Sequence, residues 1–271
     1  MNSTDKFSNH VREPAVAGLF YPGTATELRA SVERCLAQIP GDAATPQAKA
    51  IIAPHAGYVF SGTVAARAYA GWRDLGDPIS RVVVLGPSHR VYLRGMALPA
   101  SSAFITPLGR VDIDRELAER VRTMPDVVID DTPHAAEHSI EVQLPFLQTL
   151  FRNFELLPVV VGDARATSVA RLLEQVWGGP ETRIVISTDL SHYQNYTAAN
   201  AIDSATSAAI RTLQYEAIGP EQACGCMPLR GLLYYAREHG LRIDELARCN
   251  SGDTAGPRDQ VVGYAAYALH D

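Results

Sequence analysis

Four short apolar runs, rich in β-branched residues and each ending in turn residues, constrain the fold of this chain more than any other feature. They span Ala50–Ile52, Arg81–Leu85, Leu156–Val161 and Arg183–Ile186. Because these runs are continuously apolar rather than alternating, they are typical of strands buried on both faces. Helical patterns lie between them, at Thr63–Asp74, Arg115–Met124, Ser139–Leu150 and Thr167–Val176. Strands separated by helices predict an α/β fold, a three-layer α/β/α sandwich with a largely parallel sheet.

The rest of the chain fits one domain, residues 14–271. We expect residues 1–13 to be a flexible N-terminal arm and the Gly- and Pro-containing residues 40–46 to be a linker. Thr24 and Glu27 form a capping box, which predicts a helix from about Ala25 to Ile39. Three later elements are predicted, namely helices at Ile202–Glu216 and Pro228–His239 and a last strand at Val261–Leu269.

Composition excludes several classes of function. Lys and Arg number 24 against 30 Asp and Glu, and a net charge of −6 argues against nucleic-acid binding. The longest stretch without a charged residue, Ala50–Ala66, is broken by Pro54 and Gly57, so we expect no membrane span. The polar start of the chain and the four scattered cysteines favour a cytoplasmic protein with reduced thiols. No G-x-G-x-x-G or Walker loop is present, so we expect no nucleotide cofactor.

Histidines follow three of the predicted strands. His55 follows the first, His89 the second and His192 the fourth, where Asp189 also lies. Parallel strands present their carboxyl ends at one edge of a sheet, which is where ligands bind in such folds. Histidine is the commonest transition-metal ligand and a common general base, so three of them at one edge indicate a metal or catalytic site.

Two further motifs admit metal binding. Cys224 and Cys226 precede Pro228 at the predicted start of a helix, where thiols become better ligands, although Cys-x-Cys spacing alone is equally typical of packed cysteines. His134, Glu137 and His138 form an H-x-x-E-H motif, the pattern of inverzincin zinc peptidases. Pro133 places that motif at the start of a helix rather than inside one, and no third ligand can be identified.

Taken together, several blocks of sequence resemble the Memo family. They are Ile51–Tyr58, Leu85–His89, Glu137–Pro145, Pro158–Gly162, Ser187–His192 and Cys224–Gly225. The resemblance extends from about Ala15 to the C-terminus. Prokaryotic members are called the B component of the AmmeMemoRadiSam system, which implies a functional association with a radical-SAM protein. The family is similar in fold to the class III extradiol (LigB-type) dioxygenases, which use non-haem Fe(II).

The resemblance implies a role for individual residues. His55, His89 and Cys224 would be the metal ligands, and His192, with Asp189 beside it, would carry the acid–base chemistry. The remaining polar residues of these motifs would line the pocket or orient the ligands: His138, Glu137, Glu141, Ser88 and Tyr58. Cys226 would be an alternative ligand if Cys224 points away.

Three functions follow as hypotheses. The first is a metal-dependent, dioxygenase-like redox enzyme acting on a small aromatic or peptide-like substrate. Fe(II) is the expected metal, with Cu or Zn as alternatives because a thiolate is softer than a carboxylate. The second is a non-catalytic binding module for phosphotyrosine or other anionic peptide ligands. The third is a zinc-dependent hydrolase with His192 or Glu137 as base.

Overall fold

The computed structural model describes residues 7–40, 48–75 and 78–270. The strands are β1 (Val11–Arg12), β2 (Ala50–Ala53), β3 (Arg81–Pro87), β4 (Met96–Leu98), β5 (Ala103–Thr106), β6 (Gly109–Asp112), β7 (Val127–Ile129), β8 (Glu155–Val161), β9 (Thr182–Ser187), β10 (His192–Gln194), β11 (Arg242–Asn250) and β12 (Val261–His270). The α-helices are α1 (Ala25–Ala37), α2 (Tyr58–Ala70), α3 (Arg115–Val121), α4 (Thr132–Ala135), α5 (Leu144–Leu150), α6 (Ala166–Val176), α7 (Tyr196–Arg211) and α8 (Cys226–His239). Short 3-10 helices lie at Glu141–Gln143, Tyr215–Ala217 and Ser251–Asp253.

The described strands form a mixed sheet with a parallel centre. Its order is β10-β12-β2-β9-β3-β8-β4-β7, with β11 also paired to β12. The four apolar runs singled out in the sequence are β2, β9, β3 and β8, which pair in parallel, for example Ile51 with Val185. Their carboxyl ends therefore meet at one edge. A separate three-stranded sheet has the order β1-β5-β6.

Helices cover both faces of the large sheet. Ile51, Val82 and Val84 pack in one apolar layer, with residues of α1, α2 and α5. Ile52, Val83 and Leu85 point to the opposite layer, which contains residues of α3, α6, α7 and α8. Alternate residues of each central strand are thus buried on opposite sides, as expected for strands that are apolar throughout. The predicted α/β/α sandwich is confirmed. None of the described helices has both the length and the apolar character needed to cross a bilayer.

Element boundaries follow local chemistry. Thr24 caps α1 by accepting a hydrogen bond from the Glu27 N–H, as its capping box predicts. The helix predicted at Ser139–Leu150 instead begins as a 3-10 turn, and α5 starts at Leu144. Pro145 lies in the first turn of α5, where its missing N–H costs nothing. The edge strand β11 was not predicted, because its charged residues interrupt any apolar run and are exposed or half-buried. Of the predicted linker, residues 41–46 lie outside the described residues.

The N-terminal segment differs from the loose arm that the sequence predicts. Residues 1–6 lie outside the described residues, but Val11–Arg12 pair with β5. The Arg12 guanidinium is buried and forms an ion pair with Glu141. It also donates to the carbonyl oxygens of His134 (3.0 Å) and Glu137 (2.5 Å). The carboxylate of Glu141 in turn accepts the N–H groups of Ala15 and Val16.

Replacing Arg12 is expected to destabilise the protein strongly. Arg12→Met leaves the Glu141 carboxylate buried without its cation, and breaking one partner of a buried pair costs about 3–5 kcal/mol. Urea denaturation followed by circular dichroism measures the free energy of unfolding. Arg122→Met is the matched control, because Arg122 and Glu119 pair in the solvent, and such pairs contribute about 0–1 kcal/mol. Equal losses in the two variants would contradict the anchoring role of Arg12.

Candidate metal centre

The carboxyl edge of the parallel strands carries the predicted histidines. His55 lies two residues beyond β2, His89 two residues beyond β3, and Asp189 two residues beyond β9. The His55 and His89 rings are 5.2 Å apart between centroids, although 34 residues separate them in sequence. A cavity of about 720 Å³ opens at this edge, and its walls include His55, His89, His138, Asp189, His192 and Cys224.

Three of these histidines form a cluster suited to a metal ion. One ring nitrogen from each of His55, His89 and His138 lies within 4.8 Å of the others. The His89 and His138 rings are stacked, with centroids 4.9 Å apart. His138 was expected only to line the pocket or to orient ligands, so its place in this cluster comes from the structure.

Hydrogen bonds fix which nitrogen His55 offers to a ligand. Its Nδ1 is 2.8 Å from Ser187 Oγ. The single hydroxyl proton of Ser187 is donated to the Ser139 carbonyl oxygen at 2.6 Å, so Ser187 Oγ must accept from His55 Nδ1–H. The lone pair of His55 is therefore on Nε2.

Gln143 holds Ser187 in this role. Its amide Nε2 donates both to Ser187 Oγ (2.8 Å) and to the Pro54 carbonyl oxygen (3.0 Å). Its Oε1 accepts the hydroxyl of Tyr69 at 2.8 Å, which fixes the orientation of the amide. A chain of buried hydrogen bonds thus leads from the helical layer to His55.

Glu137 orients His89 in the same way. Its Oε1 accepts from His89 Nδ1 at 2.9 Å, and its Oε2 accepts the His89 backbone N–H at 2.6 Å. Burial raises the pKa of this carboxyl, but the His89 ring and the backbone N–H groups of His89 and Ser139 outweigh it and lower the pKa to about 2. The ionised carboxylate can only accept, so the lone pair of His89 is on Nε2. Carboxylate–histidine pairs of this kind commonly orient metal ligands.

Cys224 borders the cluster. Its Sγ is 3.4 Å from His55 Nε2 and accepts the Asp189 N–H at 3.3 Å. The next residue must be small, because a Cβ on Gly225 would lie 2.7 Å from the Ser187 carbonyl oxygen. Burial raises the pKa of the Cys224 thiol well above its usual range, so without a cation the thiol stays protonated, with the Asp189 carbonyl oxygen and His55 Nε2 as its possible acceptors. The thiol becomes a ligand only when it loses that proton.

The imidazoles themselves are poised to bind a cation. Burial, followed by the neighbouring His89 and His138 rings, lowers the pKa of His55 far below its usual value. Burial also lowers the pKa of His138 to about 4, against the effect of Glu137. The Nδ1 atom of His138 is buried, lies 3.5 Å from Glu137 Oε1 and forms no hydrogen bond within the described residues. Imidazoles that burial holds neutral are suited to bind a metal ion.

Asp189 and His192 lie on the cavity wall beside the cluster. Asp189 Oδ1 accepts the His55 backbone N–H at 2.8 Å, and burial raises the pKa of Asp189 to about 6. His192 Nδ1 donates to the Leu190 carbonyl oxygen at 2.8 Å, which leaves its Nε2 as the atom able to accept a proton. Asp189 can therefore exchange a proton near neutral pH.

Five residues expected to line the pocket or to orient the ligands are absent from its lining. Glu137 lies behind His89 and orients it. Glu141 instead binds Arg12 and the N-terminal segment. Tyr58 is buried in the core and donates to the Val142 carbonyl oxygen. Ser88 donates to the Val91 carbonyl oxygen within its own turn. Cys226, the alternative ligand, packs in the apolar layer beneath α8. Residue type and spacing in the sequence do not reveal these hydrogen-bond partners or the burial of Cys226.

The H-x-x-E-H motif does not form a zinc site. Its first histidine, His134, is buried away from the cluster, with Nε2 3.0 Å from the Ala97 carbonyl oxygen. Helix α4 ends at Ala135, so the motif does not continue as a helix. Glu137 is occupied by His89 and by three backbone N–H groups, which leaves it unsuited to act as a base.

Sequence reasoning missed Ser187 and Gln143. Ser187 is the last residue of β9, beside Asp189, so its position at the end of an apolar strand could have singled it out. Gln143 stands in an otherwise apolar run between Val142 and Leu144, and the sequence contains no cue to its partners.

Known proteins that are similar to this chain identify its family. The family model described as Memo-like protein matches residues 12–268. MEMO1 family proteins of Methanothermobacter thermautotrophicus and Methanopyrus kandleri are both 36% identical and cover 94% of this chain, and the matches span 99% and 97% of those relatives. A MEMO1 family protein of Aquifex aeolicus is also 36% identical, with 94% of this chain and 97% of the relative covered. An uncharacterized protein of Escherichia coli K12 aligns with a TM-score of 0.49 and 14% identity, over 81% of this chain and 98% of that one. The chain belongs to the Memo family.

Proposed function

We propose that the protein binds one transition-metal ion through His55, His89 and Cys224, beside His138, and uses it in a dioxygenase-like oxidation. The observation that carries the proposal is the orientation of the two imidazoles. Each has its Nδ1–H committed to a buried acceptor, Ser187 for His55 and Glu137 for His89, which frees both Nε2 atoms for the cluster. Imidazole and thiolate donors suit Fe, Cu and Zn rather than Mg or Ca.

The metal would supply redox chemistry, and Fe(II) is our first candidate because it suits imidazole ligands in O2-using enzymes. The residues of the chain would do the rest. His192 would accept the proton of a substrate hydroxyl at Nε2, and Asp189, with its pKa near 6, would exchange a proton at the same wall. The apolar side chains of Leu19, Phe20 and Val59 line the cavity and would bind the apolar part of the substrate.

A second candidate function is binding of an anionic ligand without turnover. The observation that favours it is Arg90, which lines the cavity and forms no ion pair with any described residue. A guanidinium at the mouth suits a phosphotyrosine or carboxylate group. The zinc-hydrolase alternative keeps only His192 as base. An association with a radical-SAM protein stays a prediction from the family.

Metal content tests the proposed ligands. Protein purified without chelators is expected to carry about one metal ion per chain by elemental analysis, as a preorganised site requires. His55→Ala is expected to abolish this binding, because it removes a central donor. His134→Ala is the control and should retain the metal, since its ring bonds to the Ala97 carbonyl oxygen. Retention in His55→Ala with loss in His134→Ala would overturn the assignment.

A finer pair of variants tests the orientation of His55 in the same assay. Ser187→Ala removes the acceptor of its Nδ1–H and is expected to weaken metal affinity about 10–100-fold. Ser101→Ala is the matched control, because Ser101 is equally buried and its hydroxyl has no hydrogen-bond partner among the described residues.

The pH dependence of metal affinity tests Cys224. Because its pKa is raised, the thiol is protonated in the metal-free protein at neutral pH, so ligation must release one proton. As the pH is lowered from roughly 8 to 6, release of this one proton should make metal affinity fall about tenfold per pH unit. Calorimetry in buffers of different ionisation enthalpy counts the protons. Cys224→Ala should release one proton fewer per metal, and identical counts would exclude a thiolate ligand.

Oxygen consumption separates the two candidate functions. Metal-loaded protein is expected to consume O2 with catechols, and His192→Gln is expected to lower kcat by about 10²-fold or more without loss of metal. An oxygen electrode and elemental analysis measure both quantities on the same samples. Saturable binding of a phosphotyrosine peptide, with no O2 uptake across a catechol panel, would instead establish the binding function.

A further inference from the structure

A second cavity, of about 820 Å³, lies where α6 begins, and four arginines contribute to its walls. Arg94 comes from the turn before β4, Arg165 from the N-cap of α6, Arg171 from the middle of α6, and Arg230 from α8. None of the side chains that line the metal cavity lines this one. No residue in it belongs to the motifs interpreted above.

Contacts of the neighbouring backbone determine where two of these arginines, Arg94 and Arg230, leave the chain. The backbone of Arg94 pairs with that of Asp163, just beyond β8, in an isolated parallel β-bridge. The Gly95 N–H donates to the Asp163 carbonyl oxygen at 2.9 Å. Helices α6 and α8 touch at Gly231, where an added Cβ would lie 2.2 Å from Val169. Because Arg230 precedes Gly231, this contact keeps it beside the first turns of α6.

The four guanidinium groups have no ion-pair partner among the described residues; Arg94, Arg165 and Arg171 are exposed, and Arg230 is half-buried. Within residues 7–40, 48–75 and 78–270, none of them forms an ion pair, and Arg230 Nε is a buried donor without an acceptor. Other arginines of this acidic chain do pair, such as Arg81 with Asp114 and Arg237 with Glu216. A chain with a net charge of −6 thus gathers around one cavity four cations that pair with no described residue.

Two carboxylates share the cavity. The Asp126 carboxylate accepts the Ser168 hydroxyl at 2.5 Å. Asp163 is the residue whose backbone pairs with that of Arg94. Four guanidinium groups against two carboxylates leave an excess of positive charge in the cavity.

The start of α6 adds a second attraction for an anion. Arg165 is its N-cap residue and no side chain caps the helix. Uncapped N–H groups at a helix N-terminus, together with the helix dipole, favour anions. Guanidinium groups match the oxygens of a phosphoryl group with paired hydrogen bonds.

We propose that this cavity binds a dianionic phosphoryl group, either free phosphate or the phosphate of a small ester. The volume of the cavity is sufficient for free phosphate and for a small phosphate ester. Failure of this proposal would leave the metal site untouched, because the two cavities have separate linings.

Titration of the full-length protein with inorganic phosphate, and separately with glycerol 3-phosphate, tests the site by calorimetry at constant ionic strength. Saturable 1:1 binding is expected, and Arg94→Gln with Arg165→Gln should weaken it about tenfold or more. The control, Arg110→Gln with Arg122→Gln, removes the same charge from exposed ion pairs and should change the affinity little.

The outcomes are distinct. Tighter binding of the ester identifies an ester as the ligand, and tighter binding of inorganic phosphate identifies free phosphate. Equal binding supports recognition of the phosphoryl group alone. Binding that persists in His55→Ala excludes phosphate held at the metal centre. Absence of saturable binding, or equal weakening in the two double variants, overturns the proposal. Urea denaturation of each variant checks that it is folded.

Discussion

Parallel pairing of β2, β9, β3 and β8 is the constraint on which the candidate metal site depends. These strands are buried on both faces, so helices must cross over the sheet between them and every central strand ends at the same edge. The residues just after the strands, His55, His89 and Asp189, are then brought together without any local sequence relationship. The site is a consequence of topology before it is a consequence of side-chain chemistry.

Packing and function are linked through hydrogen bonds that leave no choice of donor. Tyr69 donates to Gln143, Gln143 donates to Ser187, and Ser187 can then only accept from His55. The carboxylate of Glu137 imposes the same tautomer on His89. Buried polar groups of this kind are costly unless fully satisfied. Among the described residues, these hydrogen bonds leave the Nε2 atoms of His55 and His89 facing the histidine cluster.

The N-terminal segment holds the loop that carries two residues of the candidate site, Glu137 and His138. Arg12 binds the carbonyl oxygens of His134 and Glu137 as well as the carboxylate of Glu141. These three acceptors bracket the stretch that carries Glu137 and His138. A segment that looks like an unstructured arm in the sequence therefore holds the loop that orients His89 and adds His138 to the cluster.

The sequence by itself determined the central strands and the residues at their ends, because continuous apolar runs and the turns that end them are local patterns. It also placed His55 and His89 together, since strand direction and sheet edge follow from the alternation of strands and helices. Only the tertiary structure decided that His138 joins the cluster, that Glu141 and Cys226 leave it, and which nitrogen each imidazole offers. Those outcomes depend on partners far apart in the chain, such as Ser187, 132 residues from His55, and no local pattern encodes such a contact.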